Sequence, residues 1–258
     1  MWTIFGDKHW RELLKHLVKR ELTQRYKQSV LGYFWVILAP AAQMAVMSVF
    51  LQYVFARPAS GVPYPIYLFC GLLAWNLFAQ SMSSCTNALV INNALLKKIY
   101  FPREILVAST IAARLVDFAL SSLVFVAMML IYQIPVTWNV WWFIPIMLIQ
   151  IIFMYGLGLL LAAANLFYRD IQFLWNLVVL LWMYCTPVMY SSENFPAKVA
   201  WVFKVNPMAV FVNAYRQVIL GGGAPNLASL AIALVLALGL LWVSFGLFKK
   251  YEGKFADV

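Results

Sequence analysis

The chain has 258 residues, of which 64% are hydrophobic and only 11% charged, and it carries a formal net charge of +10. Soluble domains hold roughly a quarter charged residues, so the composition excludes an ordinary soluble enzyme or binding module and makes the bilayer the solvent for most of the sequence. The basic excess comes without a soluble, groove-fitting surface, which excludes a nucleic-acid-binding role.

In "KHWRELLKHLVKRELTQRYK", apolar Trp10, Leu13, Leu14, Leu17, Val18 and Leu22 recur at helical spacing, with basic residues on the remaining arc. Residues 1–30 therefore read as an amphipathic helix lying along the headgroups. The segment lacks the short apolar core and small-residue cleavage site of a signal peptide. Arg25 and Lys27, where the first span begins, stand where an anionic lipid headgroup such as a diphosphate is met. A plain anchor and topology signal is the alternative.

Uncharged runs follow: 29 residues from Gln28 to Ala56, 39 from Pro58 to Leu96 and 51 from Phe118 to Tyr168. A span needs ~20 apolar residues, and without strict alternation the spanning form is helical. The predicted spans are 33–56, 65–90, 105–132, 141–167, 171–191 and 227–248. Between the last two lie apolar stretches Ala197–Val205 and Pro207–Leu220, each too short to cross a ~30 Å core at ~1.5 Å per residue. Asn206-Pro207 is a helix-starting pair and Gly221-Gly222-Gly223 a stop. Two short helices that dip into one interface and return are expected.

With six spans, fourteen Lys and Arg fall on one side, against Arg57, Lys198, Lys204 and Arg216 on the other, with Arg114 inside a span. The positive-inside rule then puts both termini in the cytoplasm. The fold class is an all-α membrane protein. It has six transmembrane helices, an N-terminal amphipathic interface helix, a cytoplasmic amphipathic helix and two short re-entrant periplasmic helices.

That cytoplasmic helix lies in and just before "LKKIYFPREIL", Leu96–Leu106. Asn92-Asn93 can cap its start, Leu95, Leu96, Ile99 and Tyr100 form an apolar strip, and Pro102 stops it. A strip facing the cytoplasm calls for headgroups or a partner's groove. Asn76, Gln80, Ser83, Ser84 and Asn87 make a polar stripe on span two, for interhelical hydrogen bonds or for a wet path. Arg114 and Asp117, spaced i and i+3, form an intramembrane pair, with contact to a substrate or a second copy as the other reading. Gly156, Gly158, Ala162 and Ala163 allow close helix packing. Cys70, Cys85 and Cys185 read as small buried hydrophobes, and His9 and His16 lack companion ligands, so no metal site is expected.

The stretches "SVLGYFWVILAP" (Ser29–Pro40), "KIYFPREIL" (Lys98–Leu106), "NLFYRDI" (Asn165–Ile171), "YCTPVMYS" (Tyr184–Ser191) and "NPMAVFVNAYR" (Asn206–Arg216) resemble, in order along the chain, signature stretches of ABC-type polysaccharide export permeases. The resemblance implies a homodimer in the bacterial inner membrane, each copy docked to a separate ATPase subunit. Residues 31–251 would be the type-2 ABC transmembrane domain and 252–258 a cytoplasmic tail. The family's coupling helix then maps onto Leu95, Leu96, Lys97, Lys98, Ile99, Tyr100 and Phe101, continuing to Pro102, Arg103 and Glu104. Arg169 and Asp170 make a second turn on the ATPase side. No G-x-x-x-x-G-K-[ST] loop occurs, so ATP and Mg belong to the partner and the chain itself is not an enzyme.

The implied function is export of an undecaprenyl-diphosphate-linked polysaccharide, O-antigen foremost, from cytoplasm to periplasm. Teichoic acid, capsule, or a lipid or small molecule remain open within the same fold. Tyr33, Trp35, Tyr184 and Tyr190, whose ring faces suit sugar stacking, join Asn76, Gln80, Ser83 and Asn87 as candidates for the path. Phe195, Pro196, Asn206, Pro207 and Arg216 are candidates for a periplasmic gate. Trp138, Trp141 and Trp142 read instead as interfacial belt residues. Of the rival classes, an ion-coupled transporter calls for more intramembrane acids than Asp117. A membrane glycosyltransferase or lipid phosphatase calls for interfacial carboxylates or histidines, where the outer loops offer only Glu193.

Overall fold

The computed structural model describes residues 8–26, 29, 32, 34–51, 61–98, 101–192, 196 and 200–256. Regular structure among them is helical throughout: α1 (Lys8–Tyr26), α2 (Phe34–Leu51), α3 (Tyr64–Ile91), α4 (Asn93–Lys98), α5 (Glu104–Ile131), α6 (Phe143–Phe167), α7 (Ile171–Tyr184), α8 (Ala200–Val205), α9 (Pro207–Ile219) and α10 (Leu227–Glu252). A 3-10 turn, Trp138–Trp142, leads into α6, and another, Gly253–Ala256, follows α10. Five of these helices (α2, α3, α5, α6 and α10) are long and apolar enough to cross a membrane, and α7 is a shorter apolar helix of 14 residues.

The most buried helix is α3, with Ile66, Leu68, Phe69, Leu72, Phe78, Met82 and Leu89 fully enclosed. Its polar contacts fix the directions of its neighbours. Gln150 donates to the Ala74 carbonyl at 3.1 Å and Asn165 to that of Thr86 at 2.9 Å, so α6 runs parallel to α3. Arg114 contacts Gln80 and Ser84, while Cys85 contacts the Val107 carbonyl, so α5 runs antiparallel. Phe153 stacks on Phe78 across the α3–α6 seam. In turn α10 lies parallel to α6, with Gly156 beside Leu241 and Phe167 beside Phe255. A β-carbon at Gly156 would stand 3.0 Å from the Leu241 backbone, which is why the small residues predicted for close packing are needed here.

Three expectations need correction. The apolar stripe of the first helix is not left to lipid alone. Leu17 is buried and Trp10, Leu13 and Leu14 pack on the protein core. An amphipathic stripe fits a protein groove as well as a lipid surface, and here α5 takes it. The predicted fifth span, 171–191, stops being helical after Tyr184, because the peptide before Pro187 is pushed out of the helical region. Cys185, expected to be buried, is exposed at that helix end.

The split after α7 matches the predicted helix start at Asn206-Pro207. Asn206 lies beside Trp182 and Cys185, while Gly222, in a left-handed conformation (φ +62°), receives hydrogen bonds from Thr137 and Asn139. Thus α9 begins at the depth where α7 ends and runs on toward the start of α6. Each is about 20 Å long at ~1.5 Å per residue; together they cover the distance that one long helix covers elsewhere in the bundle.

Candidate functional site

Three groups of residues stand out, at the middle of the bundle, at the break after α7 and at the α4 end. In the first, Asp117 sits 13 residues into α5, about 20 Å from its start. Arg114 reaches its carboxylate at 3.3 Å, and Arg25 at the end of α1 pairs with the same carboxylate. Arg25 also contacts Glu21 at 3.3 Å. The Arg114 guanidinium further donates to Gln80 at 3.1 Å and to Ser84 at 2.6 and 3.1 Å. The charges of this cluster are therefore paired with one another, which offsets a cost of roughly 3 kcal/mol for an isolated one.

The pairing predicted for Arg114 and Asp117 is present, while Arg25, proposed for a diphosphate, is held by two acids. Lys27 lies outside the described residues. A cavity of about 140 Å3 opens beside this cluster, lined by Trp35, Asn76, Gln80, Arg114, Asp117 and Ser121 among others. Asn76 reaches Gln43 of α2 at 3.3 Å. Ser121 donates at 3.0 Å to the Val36 carbonyl, the acceptor that Pro40 leaves unmatched inside α2. The polar stripe divides: Asn87 bonds to the Ser83 carbonyl and accepts from Asn165, while Gln80 and Ser84 serve Arg114. Tyr33 lies outside the described residues.

The second group closes the break after α7. Buried carbonyls without donors are costly in hydrocarbon, and here those from Leu181 to Tyr190 are all matched. Those of Leu181, Trp182, Met183 and Thr186 are satisfied locally, by Cys185 N, Thr186 Oγ1, Thr186 N and Val188 N. The Tyr190 hydroxyl takes the Tyr184 carbonyl at 2.7 Å, and the Asn206 amide takes that of Cys185 at 3.1 Å. Arg216 takes those of Pro187 and Val188, and the hydroxyls of Tyr64 and Tyr67 take those of Met189 and Tyr190.

Asn206 donates also to Thr186 Oγ1 at 3.0 Å, accepts from Trp182 Nε1 at 2.9 Å, and caps α9 through Met208 N and Ala209 N. Its neighbour Pro207 takes the first position of α9, where no donor is missed. Arg216, predicted on the periplasmic side, is only 6% exposed to solvent within the fold. Its guanidinium lies over the Tyr67 ring, and among the described residues no carboxylate contacts it. Pro196 is exposed, and Phe195 lies outside the described residues. Tyr184 is exposed, and Tyr190 packs edge-on against Phe203.

The third group is the stretch after α3. Asn92 ends α3 and its carbonyl accepts from Leu95 N and Leu96 N, starting α4, while Arg20 of α1 donates to its side chain. Where it is described, the predicted apolar strip is not an open ridge. Leu96 and Phe101 are 3% and 4% exposed, Leu95 is half-buried, and Lys97 faces outward. Ile99 and Tyr100 lie outside the described residues, and of Lys98 only its place at the end of α4 is described. A two-turn helix beside a large bundle buries its apolar side on that bundle first.

Pro102 and Arg103 are half-buried, and Glu104 is buried at 2% exposure with Lys249 Nζ 2.9 Å away. Lys249 also pairs with Glu252 at 2.9 Å, and Arg103 donates to the Glu252 carbonyl. Arg103 lies over the ring of fully buried Phe255, which packs on Phe248 and Phe167. This tie to the far end of the chain was not foreseen, although basic Lys249 facing acidic Glu104 was a signal. Arg169 and Asp170 are exposed in a turn that Asn165 steadies by accepting from Gln172 N at 3.1 Å. Among the described residues no cluster of three or more possible metal ligands occurs.

A sequence signature described as "ABC-2 type transporter" matches residues 12–220. The chain is 30% identical over 249 residues to the "O-antigen export system permease protein RfbA" of Klebsiella pneumoniae, the match covering 96% of this chain and 95% of that one. It is 30% identical over 251 residues to the protein of that name from Myxococcus xanthus, with 96% and 95% covered. It is 23% identical over 251 residues to the "Polysialic acid transport protein KpsM" of Escherichia coli, with 92% of each covered.

Proposed function

The chain belongs to the ABC-2 type transporter family, and from that premise we propose that it is the membrane permease of an ATP-driven polysaccharide exporter. It works as a homodimer in the bacterial inner membrane, with two ATPase subunits that bind ATP and Mg. Its cargo is an undecaprenyl-diphosphate-linked polysaccharide, O-antigen foremost, moved from cytoplasm to periplasm. The observation that carries this reading is similarity along almost the whole chain to permeases named for O-antigen export.

Both termini lie in the cytoplasm in this reading, with six crossings per copy, the fifth shared between α7 and α9. Its support is that the Asn92, Phe167 and Phe255 ends gather at one pole, with Thr137 and Gly222 at the other. The segment from Leu95 to Glu104 receives the ATPase stroke, together with the Arg169-Asp170 turn. Lys97 and the 169–170 turn are exposed there to meet a partner. The polar cavity beside Arg114 and Trp35 borders the path. The 195–220 region is the periplasmic gate, and the matched carbonyls of the break before it can exchange donors as a glycan passes.

The test is deletion of the gene in its host, followed by gel analysis of lipopolysaccharide and complementation. Loss of long O-antigen bands, restored by the wild-type gene and not by Lys97→Glu with Arg169→Glu, is the expected outcome. Intact O-antigen with loss of capsule would reassign the cargo; intact surface glycans of every class would overturn the reading. Equimolar co-purification of an ATPase separates it from the ion-coupled and glycosyltransferase alternatives.

A further inference from the structure

The end of α6 and the end of α10, whose following turn brings Phe255 onto Phe167, border a groove of about 440 Å3. Its walls are apolar, including Leu160, Ala163, Ala164 and Leu247, and its volume falls in the range of small-ligand sites. The one hydroxyl of an aliphatic side chain in the lining, on Ser244, is already bonded to the Leu240 carbonyl at 2.5 Å. At the mouth stand Tyr168, Tyr251 and Lys254. Lys250 and Lys254 each hold their ammonium 5.9 Å from the Tyr251 ring centre, and both are exposed. Among the described residues neither pairs with a carboxylate, because Glu104 and Glu252 are taken by Lys249. The groove lining contains no acidic residue.

From this juxtaposition we infer that the groove is a binding site for an anionic phospholipid, its acyl chain between α6 and α10 and its phosphate at Lys250 and Lys254. The charge decides the occupant. A second copy of this chain would bring basic residues to a basic rim, whereas a phosphate monoanion complements it. Tyrosine and lysine at a groove mouth suit the headgroup level, with the aliphatic stems of the lysines covering the slot. The inference rests on the cytoplasmic placement of the α10 end, since anionic lipid there meets both lysines. The site lies across α6 from Arg25 and the polar cavity, so it is separate from the path proposed for cargo.

The experiment uses the permease co-purified with its ATPase subunit in mild detergent and read by native mass spectrometry. It is offered equal amounts of phosphatidylglycerol and phosphatidylethanolamine, and in separate arms glycerol 3-phosphate and undecaprenyl phosphate. Wild-type protein should retain phosphatidylglycerol about thirtyfold over phosphatidylethanolamine, from two lysines near the surface. K250Q/K254Q should bring that ratio to about one, and A163F, which fills the slot, should remove both lipids.

Glycerol 3-phosphate should not compete, because the chain carries part of the affinity. Undecaprenyl phosphate displacing phosphatidylglycerol would overturn the assignment in favour of the cargo lipid. An A163F effect on subunit number instead of lipid retention would overturn it in favour of a second copy. If A163F fails to fold, a photoactivatable phosphatidylglycerol on wild-type protein decides: adducts on residues 159–168 or 244–254 support the site, and adducts elsewhere overturn it. Labelling of a cysteine placed at Val258 with an impermeant maleimide, in spheroplasts and in inverted vesicles, reads the orientation separately.

Discussion

The Arg216 guanidinium lies 3.7 Å from the centre of the Tyr67 ring and donates to the Tyr67 hydroxyl at 3.0 Å, so one residue of α3 offers both a face and an acceptor to a buried cation. The same guanidinium closes the Pro187 and Val188 carbonyls. It does so because Gly71 leaves room: a β-carbon there would stand 2.6 Å from Arg216 Nη2 and 2.9 Å from the Val188 oxygen.

Replacing Arg216 with Gln therefore strands carbonyls at the break. A loss of about 3 kcal/mol is expected from unmatched buried acceptors. R216K should recover only part of it, because an ammonium cannot fork across carbonyls and stack on a ring. G71A should destabilise through the same contact, and much less so in an R216A background. Thermal unfolding of wild type, G71A, R216A and G71A/R216A in detergent checks the coupling; additive losses would mean that Gly71 and Arg216 act separately.

Asn206 makes a sharper case, since both its oxygen and its nitrogen are used. N206A should cost about 2 kcal/mol or more, from the lost cap and from the orphaned Trp182 indole and Cys185 carbonyl. N206D keeps the cap on Met208 N and Ala209 N but loses both amide donations. It should fall between wild type and N206A. Hydrogen exchange at the first turn of α9 separates the two: protected in N206D, open in N206A.

Much of the helix plan is legible in the sequence, for reasons that differ from helix to helix. Long uncharged runs marked α2, α3 and α6, and apolar length marked α5 and α10, because length and hydropathy are local properties. Asn206-Pro207 and the triple glycine bracketed α9 for the same reason. The partners of charged residues were harder to read. Arg25 and Asp117 are 92 residues apart, and nothing in the spacing of either points to the other. Leu96 looked like part of an outward strip because periodicity defines a face without saying what covers it. The α7 break is hidden in the sequence because apolar residues continue past it, while the groups that donate to its carbonyls sit on α3, on α9 and at the cap of α9.

The Asp117 cluster gives a third prediction. One carboxylate serves two guanidiniums, so D117N takes the Asp117 partner from Arg114 and leaves Arg25 with Glu21, whereas R25Q removes one cation and leaves the Arg114 pair. D117N should be the more destabilising, by roughly 1–3 kcal/mol after allowance for partial exposure. R25Q with D117N should be milder than the sum of the two. Equal losses in the single variants, measured by unfolding in detergent, would contradict shared use of the carboxylate.

The α10 end supplies the last prediction, because it ties the proposed coupling segment to the rest of the bundle. Phe255 is fully buried against Phe248, Phe167 and Arg103, and Lys249 bridges Glu104 to Glu252. A stroke delivered to residues 95–104 should thus reach α6 and α10 as well as α3 and α5. Truncating Phe255 to Ala removes about 3 kcal/mol of packing, more than a hundredfold in a local docking equilibrium, so the tail should undock. The ATPase should still bind, since Lys97 and the Arg169-Asp170 turn remain exposed. Export should fall while ATP is still hydrolysed, a split that a folding defect would not produce. Transport per ATP in proteoliposomes, with K249A as a second variant that weakens the same tie, measures it. Wild-type yield from both would mean that the coupling segment moves without the tail.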